Sequence, residues 1–213
     1  MTRTLPVNHV AAIAEAVERL QNGELVVLPT DTVYGLACDA LNAEAVERLV
    51  QAKGRPDHKP LPVQIGDVRE LPMVWADPPE PIIRFVRCVW PGAVTVVYDA
   101  AEDLPQAVTR GSGSAGVRIA ADPVMRALLR AFKGAIALPS ANLSGEPPAR
   151  EVSELSDALL QHVSLVLDAG PCTSLAPSTV CDIRGDGVKI LREGPVGIAL
   201  LRRYWAACQE AAL

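Results

Sequence analysis

A single α/β domain on a mixed sheet is the fold class this sequence predicts, and three observations carry it. Short apolar runs and amphipathic stripes alternate along the whole chain, which interleaves strands with helices. The 213 residues are 49% hydrophobic, enough to bury one substantial core. No internal repeat, linker or low-complexity stretch divides them, so residues 1–213 read as one domain.

The elements follow in order. Residues 9–21 carry Val10, Ile13, Ala14, Val17 and Leu20 at helical spacing, and Asn22-Gly23 ends the stripe. Residues 25–28 are a short all-apolar run, a strand covered on both faces. It leads into Pro29-Thr-Asp-Thr-Val-Tyr-Gly35, where hydroxyls and a carboxylate gather at the strand's C-terminal end. In open α/β sheets that edge holds ligands. Asn42 is a good N-cap for a helix whose Val46, Leu49 and Val50 face inward. Lys53 leaves the same face in the last turn, and Gly54 stops it. Residues 61–65 predict a strand, 81–89 a helix with proline in its first turn, and 93–98 a strand after Trp90-Pro-Gly92. Strands follow at 117–119 and 135–138, with a helix at 123–132 between them. Pro139-Ser-Ala-Asn-Leu-Ser-Gly145 repeats the earlier arrangement, polar residues closing an apolar strand. A helix over about 151–161, strands at 164–167, 179–183 and 188–191, and a last helix ending near Cys208 complete the chain.

Composition removes several functional classes. A mean hydropathy of +0.20 and the lack of any run near 18 apolar residues describe a soluble protein with no membrane partner. Met1-Thr-Arg-Thr-Leu-Pro6 has no apolar signal core, so the cytoplasm is the expected compartment. Five cysteines form no C-x-x-C pair, and an odd count argues against a disulfide framework. Histidines 9, 58 and 162 have no ligand spacing to them, so no protein-bound metal is expected. A net charge of −5 argues against nucleic-acid binding by the whole surface but leaves room for a local basic patch.

That patch has a candidate. Lys53-Gly-Arg-Pro-Asp-His-Lys59 packs three cations into seven residues, and its glycine and proline rule out a plain helix face. It is either a solvated loop or an anion clamp. Gly111-Ser-Gly-Ser-Ala-Gly116 matches G-x-G-x-x-G, yet a strand rather than a helix follows it, so it reads as a flexible loop whose amides and serines approach a ligand. There is no G-x-x-x-x-G-K-[ST], and Ser140 and Ser144 lack a G-x-S-x-G setting. What accumulates is cations (Lys53, Arg55, Lys59, Arg118, Arg192) and small polar residues (Thr30, Thr32, Ser140, Asn142, Ser178, Thr179) at strand ends. Such an inventory suits an anionic, polyhydroxylated ligand handled by charge and positioning. Each member also has a plain structural role open to it, as a strand end, a turn or a core contact.

Together the motifs are specific. Pro29–Gly35, Lys53-x-Arg55 with Lys59-Pro-Leu61, Trp90-Pro-Gly92 with Thr95, Val117-Arg118, Pro139–Gly145, Ser178-Thr179 and Leu191-Arg-x-Gly194 occur in the order found in the YrdC/YciO-type family. Over about residues 9–200 the sequence resembles the threonylcarbamoyl-AMP synthases of that family, in their short single-domain form. The resemblance implies a twisted mixed parallel/antiparallel sheet curved around a basic concave cavity. It implies nucleotidyl transfer from ATP, carried with Mg²⁺, to L-threonine and bicarbonate. The product serves threonylcarbamoyl-adenosine formation in tRNA, so tRNA, as a double-stranded RNA ligand, and the threonylcarbamoyl-transfer proteins are the implied partners. By the same resemblance Lys53 and Arg55 are catalytic. Arg55, Lys59, Ser114, Ser140, Asn142 and Arg192 take ATP, and Thr32, Gln64, Arg118 and Ser178 take L-threonine. Gln64 stands where many members have histidine, and Pro148 where some have a hydroxyl residue. A non-catalytic RNA-binding protein of the same family is the alternative.

Overall fold

Ten strands share one sheet in the computed structural model, which describes residues 2–56, 58–172 and 177–210. At one edge β1 (Arg3–Pro6), β8 (Leu165–Asp168) and β2 (Val26–Leu28) run parallel. Antiparallel β3 (Gly35–Asp39) and β7 (Ile136–Ala137) lead from there to β4 (Pro62–Gln64). Beyond it β6 (Ser114–Arg118) is parallel to β4, and β5 (Val94–Asp99) is antiparallel to β6. Finally β9 (Thr179–Asp182) lies parallel to β5, with antiparallel β10 (Lys189–Arg192) at the far edge. The sheet is mixed, as the interleaved pattern predicts.

Helices cover both faces. On one, α1 (Ala12–Gln21) and α5 (Pro123–Phe132) bury Leu20, Leu128 and Leu129 against Leu5, Val26, Leu28 and Leu165. On the other, α2 (Ala43–Lys53), α3 (Glu80–Val89) and α7 (Ile198–Glu210) close over Val27, Leu36, Val63 and Val117. The local signals that place α2 hold in detail. Asn42 accepts a hydrogen bond from Ala45 N–H, and Gly54 takes the left-handed conformation (φ 55°) that ends the helix. The buried face of α2 runs through Val46, Leu49 and Val50 to Lys53. Among the described residues no helix is long and apolar enough to cross a membrane.

Several expectations need correction. The helix expected from residue 9 starts at Ala12, and Val10 stands outside it, 98% exposed. Ala12 and Ala16 face the core instead, small side chains that let α1 lie close to the sheet and α5. No continuous helix spans 151–161. A 3₁₀ turn at Val152–Glu154 is followed by extended Leu155, and Ser156 then caps a separate one-turn helix, α6 (Asp157–Leu160). The strand expected at 117–119 begins at Ser114, so only the Gly111–Gly113 half of the glycine-rich stretch is a turn. Neither β1, with Leu5 its one buried residue, nor β3, which opens on a glycine, carries a legible strand pattern. A one-turn helix α4 (Gln106–Thr109) also goes unforeseen.

Candidate active site

Two cations of the 53–59 run, Lys53 and Arg55, are held by backbone. Lys53 is 2% exposed, and its Nζ donates to Ser140 O and Asn142 O, each at 2.5 Å. In return Ser144 N–H donates to Lys53 O at 2.8 Å, so the end of α2 and the 139–145 loop are clasped together. Burial, with Arg55 and Lys59 repelling it, lowers the Lys53 pKa to about 7. Arg55 donates through Nε to Lys59 O (3.0 Å) and through Nη2 to Pro60 O (2.6 Å). Burial and nearby Arg110 bring its pKa down to about 10. Arg110 itself comes from the left-handed turn after α4 and pairs with Glu47 at 3.0 Å. The Lys59 side chain is exposed.

Ser140 and Asn142 sit where the apolar pattern of β7 runs out. Ser140 bridges to Gly35, and Ala141 N–H donates to Tyr34 O at 2.7 Å, which sets this loop against the Pro29–Gly35 segment. Asn142 Nδ2 donates to Leu143 O and Glu146 O, both at 2.8 Å. Its Oδ1 is buried without a partner in the protein, an acceptor left for a ligand or water.

A second group gathers around Arg118, at the C-terminal end of β6. Arg118 is 4% exposed and donates from Nε to Gly92 O (2.7 Å), from Nη2 to both Asp31 oxygens (2.6 Å), and from Nη1 to Thr32 Oγ1 (3.4 Å). Burial lowers its pKa, while Asp31 opposes the shift. Ser178 Oγ lies 2.8 Å from Thr95 Oγ1, and Arg192 Nη2 donates to Ser178 O at 2.8 Å and to Ser178 Oγ at 3.2 Å. Burial and the charge of Arg118 both lower the Arg192 pKa. Gly194 is required here by close approach. A Cβ on it would stand 2.3 Å from Thr179 N and 2.7 Å from Pro177 O, inside the turn that carries Ser178.

The Pro29–Gly35 segment joins the two groups: Asp31 and Thr32 meet Arg118, while Tyr34 and Gly35 meet the 140–141 turn. Gln64 is the register partner of Arg118 in parallel β4, and its Oε1 accepts from Ala120 N–H at 3.2 Å. Ser114 lies on the same face of β6 as Arg118 but at the strand's other end, about 13 Å away at the usual rise. Buried Ser114 is 3.2 Å from Ser112 Oγ. Two hollows of about 500 and 560 Å³ lie elsewhere, along the 182–189 hairpin and beside β1, and neither contains a candidate residue. Asp31 and Arg110 join these groups, and neither is among the site residues expected from the sequence. Asp31 shows its signal in Pro29–Gly35, but its partner cannot be read from there.

Comparison with known proteins settles what this arrangement belongs to. A family model for Sua5, YciO and YrdC, described as telomere recombination, matches residues 18–194. The chain belongs to the Sua5/YciO/YrdC family. It is 36% identical over 185 residues to the threonylcarbamoyl-AMP synthase of Bacillus subtilis, covering 86% of this chain and 54% of that one. It is 39% identical over 154 residues to that of Halorhodospira halophila, covering 72% and 78%. The structure of Pyrococcus abyssi Sua5 complexed with L-threonine superposes with a TM-score of 0.88 at 29% identity, over 96% of this chain and 60% of that one. The chain thus spans only part of the Bacillus and Pyrococcus family members. The α/β fold with a mixed sheet, expected from the resemblance, is the family fold.

Proposed function

We propose that this chain is a nucleotidyltransferase that makes threonylcarbamoyl-AMP and pyrophosphate from L-threonine, bicarbonate and ATP, for threonylcarbamoyl-adenosine formation in tRNA. The observation that carries the reading is buried Lys53 beside half-buried Arg55, whose hydrogen bonds go to backbone carbonyls. Carbonyls supply no counter-charge, so Arg55 keeps a positive field, and Lys53, half titrated near pH 7, takes up a proton as an anion arrives. In this reading Arg55 and Lys59, helped by Lys53, hold the ATP phosphates. Ser140, Asn142, Ser114 and Arg192 complete the nucleotide side. Thr32, Gln64, Arg118 and Ser178 take threonine, its carboxylate partnered by Arg118.

The chemistry needs no protein nucleophile. Bicarbonate gives carbon dioxide and hydroxide. Threonine's ammonium loses one proton to that hydroxide as water and a second to solvent as its nitrogen bonds carbon dioxide. The resulting N-carboxylate oxygen attacks the α-phosphorus while the bond to the bridging oxygen breaks and pyrophosphate leaves. Fixed cations along the phosphates stabilise the charge that builds on them. Mg²⁺ enters with ATP as part of the substrate; guanidinium, ammonium and hydroxyl groups suit phosphate oxygens rather than a resident metal ion. The product passes to tRNA and the threonylcarbamoyl-transfer proteins, in the cytoplasm. Incubation with ATP, labelled bicarbonate and L-threonine tests the reading. It expects threonine-dependent pyrophosphate and labelled threonylcarbamoyl-AMP. Salt-sensitive tRNA binding without either product would favour a non-catalytic RNA-binding role instead.

A further inference from the structure

The two halves of the site hold their cations differently. Lys53 and Arg55 lean on carbonyls, whereas Arg118 is matched by a carboxylate, both Asp31 oxygens lying 2.6 Å from Nη2. That carboxylate is not sealed in with its partner: the Asp31 side chain keeps 23% of its exposure against 5% for Arg118. An ionised carboxylate has about four acceptor directions, and the guanidinium uses two. Beside it stands the Thr32 hydroxyl, 3.4 Å from Arg118 Nη1, and the charge of Arg118 reaches Arg192, the cation held on Ser178. A site for a plain carboxylate would gain nothing from an acid next to its arginine. A buried cation paired with a half-open anion matches a molecule carrying both signs.

The geometry points to Asp31 as the ammonium-binding residue of the amino-acid subsite. Asp31 and Arg118 together recognise a zwitterion, with the ligand's carboxylate on the arginines and its α-ammonium on Asp31. This rests on the proposed threonylcarbamoyl-AMP synthase reading and adds the group that selects an α-amino acid over an α-hydroxy acid. It also places the nitrogen that has to react. Once that nitrogen is carboxylated it no longer carries a positive charge, so its attraction to Asp31 becomes repulsion. The new anion is then favoured toward Arg55 and toward Lys53, whose protonation it promotes.

The test is calorimetric titration in bicarbonate-free buffer with L-threonine and with its α-hydroxy analogue, in which a hydroxyl replaces the amine. Wild type is expected to bind threonine about 10- to 100-fold more tightly, the range for one hydrogen bond to a charged group. Asp31→Asn keeps the shape and an acceptor for Arg118, and is expected to weaken threonine by a similar factor while leaving the hydroxy analogue as tight or tighter. If both ligands weaken together, Asp31 merely orients Arg118 and the proposal fails. Equal binding of the two ligands by wild type overturns it with no variant needed. A parallel pyrophosphate assay separates this from failure of the functional reading. Threonine-dependent release alongside equal binding rejects Asp31's role alone, whereas no release and no threonine binding by wild type reject both.

Discussion

Replacing Lys53 by methionine preserves much of the side chain's length and removes its charge and its donors. In the folded protein burial lowers the Lys53 pKa from 10.5 to about 7, with Arg55 and Lys59 adding repulsion. At 2% exposure the side chain is largely shielded from solvent. Between those two pKa values the unfolded chain holds a proton that the folded chain has released. Stability attributable to Lys53 therefore rises with pH across that window, and below it the cost of burying the ammonium is carried in full. The full slope is about 1.4 kcal/mol per pH unit. From pH 7, where the group is half titrated, to about pH 9 the gain is about 2 kcal/mol. Urea denaturation of wild type and Lys53→Met at both pH values isolates this contribution, because every other titrating group is common to the two proteins. The wild-type advantage, or deficit, should move in favour of wild type by about 2 kcal/mol at the higher pH. A difference that stays constant with pH refutes the argument. The bonds to Ser140 O and Asn142 O would then be holding a full ammonium throughout.

Three more outcomes follow from the same geometry. Phosphates that bind beside Lys53 should restore its charge, so ATP binding at about pH 8 should take up a proton, seen as a dependence of calorimetric heat on buffer ionisation enthalpy. Arg55→Ala should lower kcat/KM for threonine-dependent pyrophosphate release by about 10²- to 10³-fold, as loss of one preorganised electrostatic donor does; an unchanged value removes Arg55 from the chemistry. Gly194→Ala should lower stability by about 1–3 kcal/mol in urea melts and raise the KM for threonine, because its Cβ would press on the rigid backbone at Pro177–Thr179 rather than on a movable side chain.

How far the sequence could be read depended on how local each cause was. The α2 helix was legible to the residue, since its cap, its buried stripe and its terminating glycine all lie within a dozen positions. Residues 151–161 misled because helical spacing of apolar groups is shared by a 3₁₀ turn and a one-turn helix separated by an extended residue. The stripe at 10–20 misled in another way: Val10, which opens it, is exposed to solvent, and Ala12 and Ala16 are core. Edge strand β1 is held by pairing to β8, more than 150 positions along the chain, and four residues with one buried side chain cannot announce that partner.

The candidate site divides along the same line. Taken by itself, the order of residues determined the family, the α/β class and the chemical inventory, because motif spacing and apolar periodicity are properties of neighbours. Only the tertiary structure decided who holds whom. Sheet order sets β7 beside β3 and β4, and with them Lys53 against the carbonyls of a loop 87 and 89 positions away. It also sets Arg118 against Asp31 across 87 positions. Whether a cation keeps its charge for a ligand or shares it with an acid is an energy of contact through space. No pattern along the chain contains that distance.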